Sequence, residues 1–299
     1  SRSMIYLKHF GLREAPFSIT PDTDFFCVVR STQEALNTLL VAFQSGEGFI
    51  KVTGEVGTGK TLLCRKFLAT VSETSVSAYI PNPDLDPATL LTAIAEALGV
   101  KLGPGLDRHH LIKGLNLALL KIARDRKRVV VCLDEAQAMP VETLETLRLL
   151  TNLETEKRKL LQVVLFGQPE LDAKLAHESI RQLRQRITFQ HHLGKFGREE
   201  IDGYLSHRLA IAGHNGNRVF SGRAIAAISN ASKGVPRLIN ILANKSMMIA
   251  YGKGSRRVSW RHARAAIVDT PAAKGFSTQW IWFTIICIVG IGLAWTLAR

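Results

Sequence analysis

Short, mainly apolar runs alternate along this chain with longer stretches in which apolar residues recur every three or four positions. The short runs are typical of strands buried on both faces of a parallel sheet, and the longer stretches are typical of amphipathic helices. This alternation predicts a doubly wound α/β sheet. The predicted strands are 49–53, 76–80, 129–133, 160–166 and 187–193, and the predicted helices are 32–44, 62–71, 88–98, 106–126, 141–159 and 175–186.

The pattern changes near Gly194, beyond which only helical periodicities occur, at 198–212, 221–231, 236–251 and 259–268. We therefore expect an α/β domain over 31–194 and a small all-helical lid domain over 195–269. Residues 1–30 mix aromatic side chains with two prolines, which predicts an extended, turn-rich segment.

The run 279–298 carries no charged residue. About 20 residues at 1.5 Å per residue span roughly the 30 Å of a bilayer core, and Trp280, Trp282 and Trp295 mark its two ends as interfacial aromatic residues do. A buried core helix is the alternative, but a run that is apolar on all sides offers no polar face to water. The pattern predicts a linker over 270–278 and a transmembrane helix over 279–298.

Basic residues are distributed unequally around this predicted span. Only Arg299 follows it, and the positive-inside rule therefore predicts a single-pass protein whose body is cytoplasmic. The basic residues that precede the span are Arg256, Arg257, Arg261, Arg264 and Lys274.

The composition of the 299 residues limits the class of protein. A hydrophobic fraction of 46% with 21% charged residues excludes a disordered chain. The net charge of +14 favours nucleic acid, anionic lipid or nucleotide as partners without choosing among them. The adjacent histidines 109–110 and 191–192 lack the spacing of metal ligands. Cys27, Cys64, Cys132 and Cys287 lack it too, and they indicate core residues in a reducing compartment.

The segment Gly-Glu-Val-Gly-Thr-Gly-Lys-Thr lies between the first predicted strand and the helix at 62–71, which is the context of a phosphate-binding loop. Its backbone N–H groups and the start of the helix would face an anion. Lys60 would reach the β- and γ-phosphates of ATP, and the Thr61 hydroxyl would bind Mg²⁺. The predicted nucleotide-binding residues are Gly54, Glu55, Val56, Gly57, Thr58, Gly59, Lys60, Thr61 and Leu62.

Two acidic residues and one amide follow the predicted strands. Asp134 would hold Mg²⁺ and Glu135 would polarise the attacking water, although a carboxylate at a strand end can also be an ordinary helix cap. Gln168, after the next strand, would hydrogen-bond the γ-phosphate or that water, or would simply be a turn residue.

Arginines supply the remaining candidates for catalysis. Any one of Arg181, Arg184 and Arg186 could stabilise the transferring phosphoryl group of a neighbouring subunit, and at least one of them is expected to lie on a solvated helix face. Arg237, in Gly-Val-Pro-Arg, could contact the γ-phosphate in its own subunit, or form a surface ion pair.

In this order the motifs resemble Walker A, Walker B (Leu-Asp-Glu-Ala-Gln, 133–137), sensor 1 (Gln168), the arginine finger (181–186) and sensor 2 (Arg237) of the AAA+ ATPases. The opening segment 9–22 and the segment 183–187 are similar to the general secretion pathway protein A family, including its members in mannose-sensitive haemagglutinin (type IV) pilus biogenesis. The resemblance implies a hexamer-like ring of identical subunits on the bacterial inner membrane, which hydrolyses ATP and works with inner-membrane pilus or secretion assembly proteins.

Some partners are not expected. Secretin-assembly members of that family carry a peptidoglycan-binding domain after the span, whereas this sequence ends at Arg299, so peptidoglycan is not expected as a ligand. Nucleic acid is not expected either, because no DNA-reading module is recognisable. The alternatives are a nucleotide-switched assembly scaffold with incidental turnover and a DNA-dependent AAA+ helper ATPase.

Overall fold

The computed structural model describes residues 2–20, 22–26, 29–103, 105–150 and 159–273, with side chains from Tyr6 onward. None of the helices in these ranges has both the length and the hydropathy needed to cross a bilayer. The predicted transmembrane helix, 279–298, lies outside the described residues, as does the linker from 274 onward.

The described helices are, in chain order, α1 (Arg2–His9), α2 (Arg30–Ser45), α3 (Lys60–Val71), α4 (Pro87–Ala97), α5 (Arg108–Arg124), α6 (Val141–Leu150), α7 (Glu170–Leu175), α8 (Arg181–Gln185), α9 (Arg198–Ile211), α10 (Gly222–Ser232), α11 (Pro236–Gly252) and α12 (Trp260–Val268). The strands are β1 (Phe49–Thr53), β2 (Ser75–Ile80), β3 (Arg128–Leu133), β4 (Gln162–Gly167) and β5 (Ile187–His192). They form one sheet in the order β2-β3-β4-β1-β5, and every pair is parallel. The five predicted strands are thus confirmed, each within two residues of its predicted ends.

Contacts divide the chain into two compact units. The α/β unit is Thr20–Lys195 and contains the sheet. Among the described residues, the helical unit joins residues 2–19 to residues 196–273. Each element described after residue 194 is a helix, as predicted, and the unit also includes residues 2–19 of the N-terminal segment.

Helices cover both faces of the sheet, as predicted. Successive strand residues point to opposite faces, so Phe49 and Val131 pack with α4, α5 and α6, whereas Ile50 and Cys132 pack with α2 and α3. All four of these side chains have no exposed surface. This two-sided burial is the reason that the central strands β3 and β4 have apolar residues at nearly every position.

Two segments differ from the predicted elements of the α/β unit. The helix predicted at 175–186 is broken into α7, a 3₁₀ turn at Glu178–Ile180 and α8, because His177 caps the turn through Ser179 N and thereby interrupts the helix. The helix predicted at 141–159 begins at Val141 as expected, but residues 151–158 lie outside the described residues.

The N-terminal segment was predicted to be extended, but its first part forms helix α1. No Gly or Pro occurs before Gly11, and Tyr6 and Phe10, one helical turn apart, are both buried. Tyr6 OH donates to Asn244 Oδ1 of α11 at 3.2 Å. The segment continues along α9, where the buried Arg208 donates to Pro16 O at 2.5 Å and to Ser18 O at 3.2 Å. Long-range contacts therefore fix this segment in the helical unit.

Candidate nucleotide site

The glycine-rich loop between β1 and α3 has a backbone that other residues would not adopt easily. Gly57 and Gly59 have φ angles of +80° and +97°, where a side chain would be strained. A Cβ atom at Gly54 would lie 2.7 Å from Leu193 O and 2.8 Å from Thr58 Oγ1. The loop is thus closed tightly at its base, and α3 begins directly after it at Lys60.

Lys60 extends back across this loop. Its Nζ atom donates to Gly54 O at 2.7 Å and to Glu55 O at 3.0 Å. Burial lowers the pKa of this amine, and the nearby carboxylates of Glu135 and Asp134 oppose that shift. The ammonium group therefore has few water contacts, and phosphate oxygens could replace the two carbonyl oxygens as its acceptors.

The two predicted magnesium ligands lie side by side. Thr61 Oγ1 donates to Asp134 Oδ2 at 2.6 Å, and Tyr79 OH donates to the same oxygen at 3.1 Å. Asp134 is buried, and its charge adds to burial in raising the pKa of Tyr79. A hydroxyl and a carboxylate are hard oxygen ligands of the kind that Mg²⁺ prefers, so this pair fits the ion. Tyr79 was not predicted as a candidate, because its sequence pattern is only that of a strand residue.

Glu135 lies at the centre of a group of amides. Its backbone has a φ angle of +53°, which turns the chain sharply after β3. Glu135 Oε2 accepts hydrogen bonds from Gln137 Nε2 and, at 3.1 Å, from Gln168 Nε2. The structure therefore brings the predicted base and the predicted sensor into direct contact.

Gln137 belongs to the same cluster, although it was not predicted as a candidate from the sequence. Besides contacting Glu135, its Oε1 accepts from Gln168 N at 3.0 Å, so this one side chain connects the ends of β3 and β4. Lys174 Nζ donates to Gln137 O and Met139 O, both at 2.6 Å, and fixes the turn that carries it. The sequence feature that could have indicated Gln137 is its position two residues after Glu135, within the acidic motif.

Replacing Gln137 with leucine is expected to lower kcat for ATP about tenfold or more while changing KM little. The variant keeps the phosphate loop but loses the group that orients both Glu135 and Gln168, and small misplacements of catalytic groups are costly. Steady-state ATPase assays on the full chain would measure both constants. Gln44→Leu, an exposed glutamine at the end of α2, is the matched control, and an equal loss of kcat in both variants would contradict the positioning role.

The predicted arginines are on α8, directly after α8 and at the start of α11. Arg181 and Arg184, on α8, are exposed, whereas Arg186 is half-buried and donates to Arg148 O at 3.4 Å in its own chain. Arg237 is exposed at the second position of α11, in the helical unit. Its action on a nucleotide, like that of the other three arginines, stays a prediction.

A protein-family model described as an AAA domain matches residues 43–175, which include every residue of the cluster around Lys60 and Glu135. General secretion pathway protein A of Aeromonas hydrophila is 40% identical over 262 residues. That match covers 85% of this chain and 46% of the relative, so the chain spans about half the length of the curated protein it matches.

Solved structures with the same fold are more distant in sequence. The ORC2 protein of Aeropyrum pernix, solved as ADPNP-ADP complexes, has a TM-score of 0.67 at 21% identity, over 90% of this chain and 75% of that chain. CDC6P of Pyrobaculum aerophilum has a TM-score of 0.66 at 19% identity, over 85% and 70%. The RuvB Holliday junction branch migration motor of Thermotoga maritima has 0.54 at 17%, over 86% and 76%. At these identities the likeness shows the fold alone, an α/β AAA+ fold with a helical lid.

Proposed function

We propose that this chain, part of which matches an AAA domain and which is similar to general secretion pathway protein A, hydrolyses ATP to assist the assembly of a bacterial envelope machine. One observation carries the hydrolytic part of the proposal. Lys60, Thr61, Asp134, Glu135 and Gln168 lie at the carboxyl ends of three neighbouring parallel strands, β1, β3 and β4, which is where ligands bind in such sheets.

Each of these side chains has a role that its position supports. Lys60 and the loop amides bind the phosphates, and Thr61 and Asp134 hold Mg²⁺, which would neutralise charge on the phosphate oxygens when bound. Glu135 accepts a proton from the attacking water, or orients that water, after exchanging one of its amide contacts. Gln168 is placed beside Glu135 and can hydrogen-bond the same water.

The relationship to general secretion pathway protein A supports the cellular part of the proposal. The machine would be a type II secretion system or a related type IV pilus of the mannose-sensitive haemagglutinin kind, and the partners would be its inner-membrane assembly proteins. The uncharged segment 279–298 would anchor the chain in that membrane with both described units in the cytoplasm.

We further propose that the active form is a ring in which an arginine completes the site of the adjacent subunit. Arg181 and Arg184 are the better candidates because both are exposed, whereas Arg186 is already bonded within its own chain. An arginine finger is worth about 10³ to 10⁵ in rate. A separated subunit should therefore turn over ATP very slowly.

Mixing two inactive variants of the full chain would test this arrangement. Glu135→Gln retains its arginines, and a double variant, Arg181→Ala with Arg184→Ala, retains its own Glu135. Neither should hydrolyse ATP alone, but mixed rings contain interfaces that combine an intact Glu135 with an intact arginine, so activity should return on mixing. For the unmodified chain, activity per subunit should also rise with protein concentration.

Other outcomes would contradict parts of the proposal. Unchanged activity in the double variant would exclude both arginines as the finger. The nucleotide-switched scaffold would be favoured if the unmodified chain bound ATP but hydrolysed it no faster than the Lys60→Ala variant at any protein concentration.

A further inference from the structure

The helical unit is strongly cationic over a long part of the chain. Between Asp202 and Asp269 there is no Asp or Glu, whereas the same stretch contains 11 Lys and Arg residues. The residues brought together at the nucleotide site all belong to the other unit. An excess of positive charge of this size favours a polyanionic partner.

Part of this charge lines a cavity of about 810 Å³ in the helical unit. Lys8 from α1 lines the cavity together with Arg256 and Arg257 from the loop before α12, and Asn215 and Asn217 come from the loop after α9. All five are exposed. No carboxylate occurs among the lining residues that the structure describes.

Hydrogen bonds hold the walls of this cationic cleft together. His9 Nε2 lies 3.0 Å from Ser255 O, which connects α1 to the loop that carries the arginines. His214 Nδ1 lies 2.9 Å from Phe10 O, and its Nε2 lies 2.9 Å from Asn217 O. Ser255 Oγ donates to Arg257 O at 2.7 Å. The cleft is therefore a built feature of three chain segments.

The cations of the cleft are available to a ligand. Arg218, at its edge, is paired with Asp202. By contrast, Lys8, Arg256 and Arg257 form no ion pair within the described ranges of the chain. Guanidinium groups bind phosphate oxygens with two parallel hydrogen bonds, and a lysine ammonium adds a point charge. The chemistry of the cleft therefore suits a phosphate-bearing anion.

The part of the chain that follows the cleft arginines favours a membrane as the source of that anion, since Trp260 is three residues after Arg257. Trp260 is 43% exposed, and the Arg264 guanidinium lies 5.2 Å from its ring centroid. Exposed tryptophan together with arginine is typical of the headgroup region of bilayers. The uncharged stretch 279–298 follows within about 20 residues of Trp260 in the sequence. A single cleft of this volume fits one lipid headgroup. A nucleic-acid site would instead be a longer groove that runs along the phosphate backbone.

We propose that the cleft lined by Lys8, Arg256 and Arg257 binds the phosphate headgroup of an anionic phospholipid. The proposal rests on the membrane attachment given under the proposed function but is independent of ATP turnover. The helical unit would then contact the membrane surface directly.

Hydrogen exchange on the full chain would test this proposal. The chain is incorporated into vesicles of phosphatidylcholine alone or with about one third phosphatidylglycerol, and exchange is followed at 8–11, 214–218 and 254–258. Each Lys or Arg near an anionic surface is worth about 1 kcal/mol, or roughly fivefold in binding. We expect these amides to exchange at least about fivefold more slowly in the anionic vesicles.

Two variants that remove the same charge distinguish binding at the cleft from the general electrostatic attraction of a basic protein to an anionic membrane. The triple variant Lys8→Gln, Arg256→Gln, Arg257→Gln should lose this protection while keeping its ATPase activity. The triple variant Lys113→Gln, Lys121→Gln, Arg124→Gln removes the same charge from exposed positions of α5 and should retain the protection.

Three results would overturn the proposal. The first is equal exchange in both kinds of vesicle, and the second is protection lost equally in both triple variants. The third is that inorganic phosphate or a DNA duplex, added to the chain in neutral vesicles, slows exchange of the cleft amides as much as anionic vesicles do. The cleft would then be a site for free anions or for nucleic acid.

Discussion

Replacing Lys60 with alanine is expected to weaken ATP binding by at least about a hundredfold. Lys60 is the buried cation of the phosphate loop, and its ammonium group already satisfies the two loop carbonyls nearest to it. A hydrogen bond to a charged group is worth about 1.5 to 3 kcal/mol, and Lys60 would donate one to each of two phosphates, so that about 3 to 6 kcal/mol of binding free energy would be lost. Titration with a fluorescent ATP analogue would measure the loss.

Two further variants test whether the loss of ATP affinity is due to the charge at position 60. Lys121→Ala removes an exposed cation from α5 and should bind ATP normally. Because burial lowers the pKa of Lys60 and phosphates favour its protonated form, affinity should fall as pH rises through that lowered pKa. Lys60→Arg, if it binds, should not show the decline, since guanidinium stays charged. Unchanged affinity in a folded Lys60→Ala protein would disprove the assignment of the loop.

Replacing Glu135 with glutamine is expected to leave ATP bound but to slow its hydrolysis by about 10² to 10⁴, the usual contribution of a general base. The substitution removes the charge without changing the size of the side chain. Its amide oxygen can still accept from Gln137 and Gln168, so the local structure should persist. Single-turnover hydrolysis and nucleotide titration would separate the two effects.

Glu142→Gln is the matched control, because Glu142 is an exposed acidic residue at the start of the nearby helix α6. It should hydrolyse ATP at the rate of the unmodified protein. If Glu135→Gln also did so, Glu135 would have no role in activating water. If it failed to bind ATP, the residue would serve the structure of the site instead.

The centre of the sheet could be predicted from sequence because β3 and β4 are short apolar runs with clear ends. The site followed from the same property, since Asp134 and Gln168 come directly after β3 and β4, and parallel strands end at one edge of a sheet. Local sequence was therefore sufficient to place these two side chains at the edge of the sheet.

What could not be predicted depends on turns and on distant contacts. Gln137 reaches Glu135 only because the chain turns at a positive φ and then forms a 3₁₀ turn, which periodicity does not show. The N-terminal segment is held by Arg208, about 190 residues away, and Pro16 and Pro21 gave no sign of that partner. The cationic cleft likewise combines three segments that are far apart in the chain.

The discontinuity of the helical unit determines the order in which the two units can form during synthesis. Residues 2–19 leave the ribosome 177 residues before Phe196, the first residue of the remainder of their unit, which is roughly 9 to 35 s at 5 to 20 residues per second. During that interval Tyr6, Phe10 and Phe17 lack the helices that later bury them. The α/β unit is contiguous and is synthesised completely within the same interval. The nascent protein can therefore acquire its nucleotide site well before its cationic cleft.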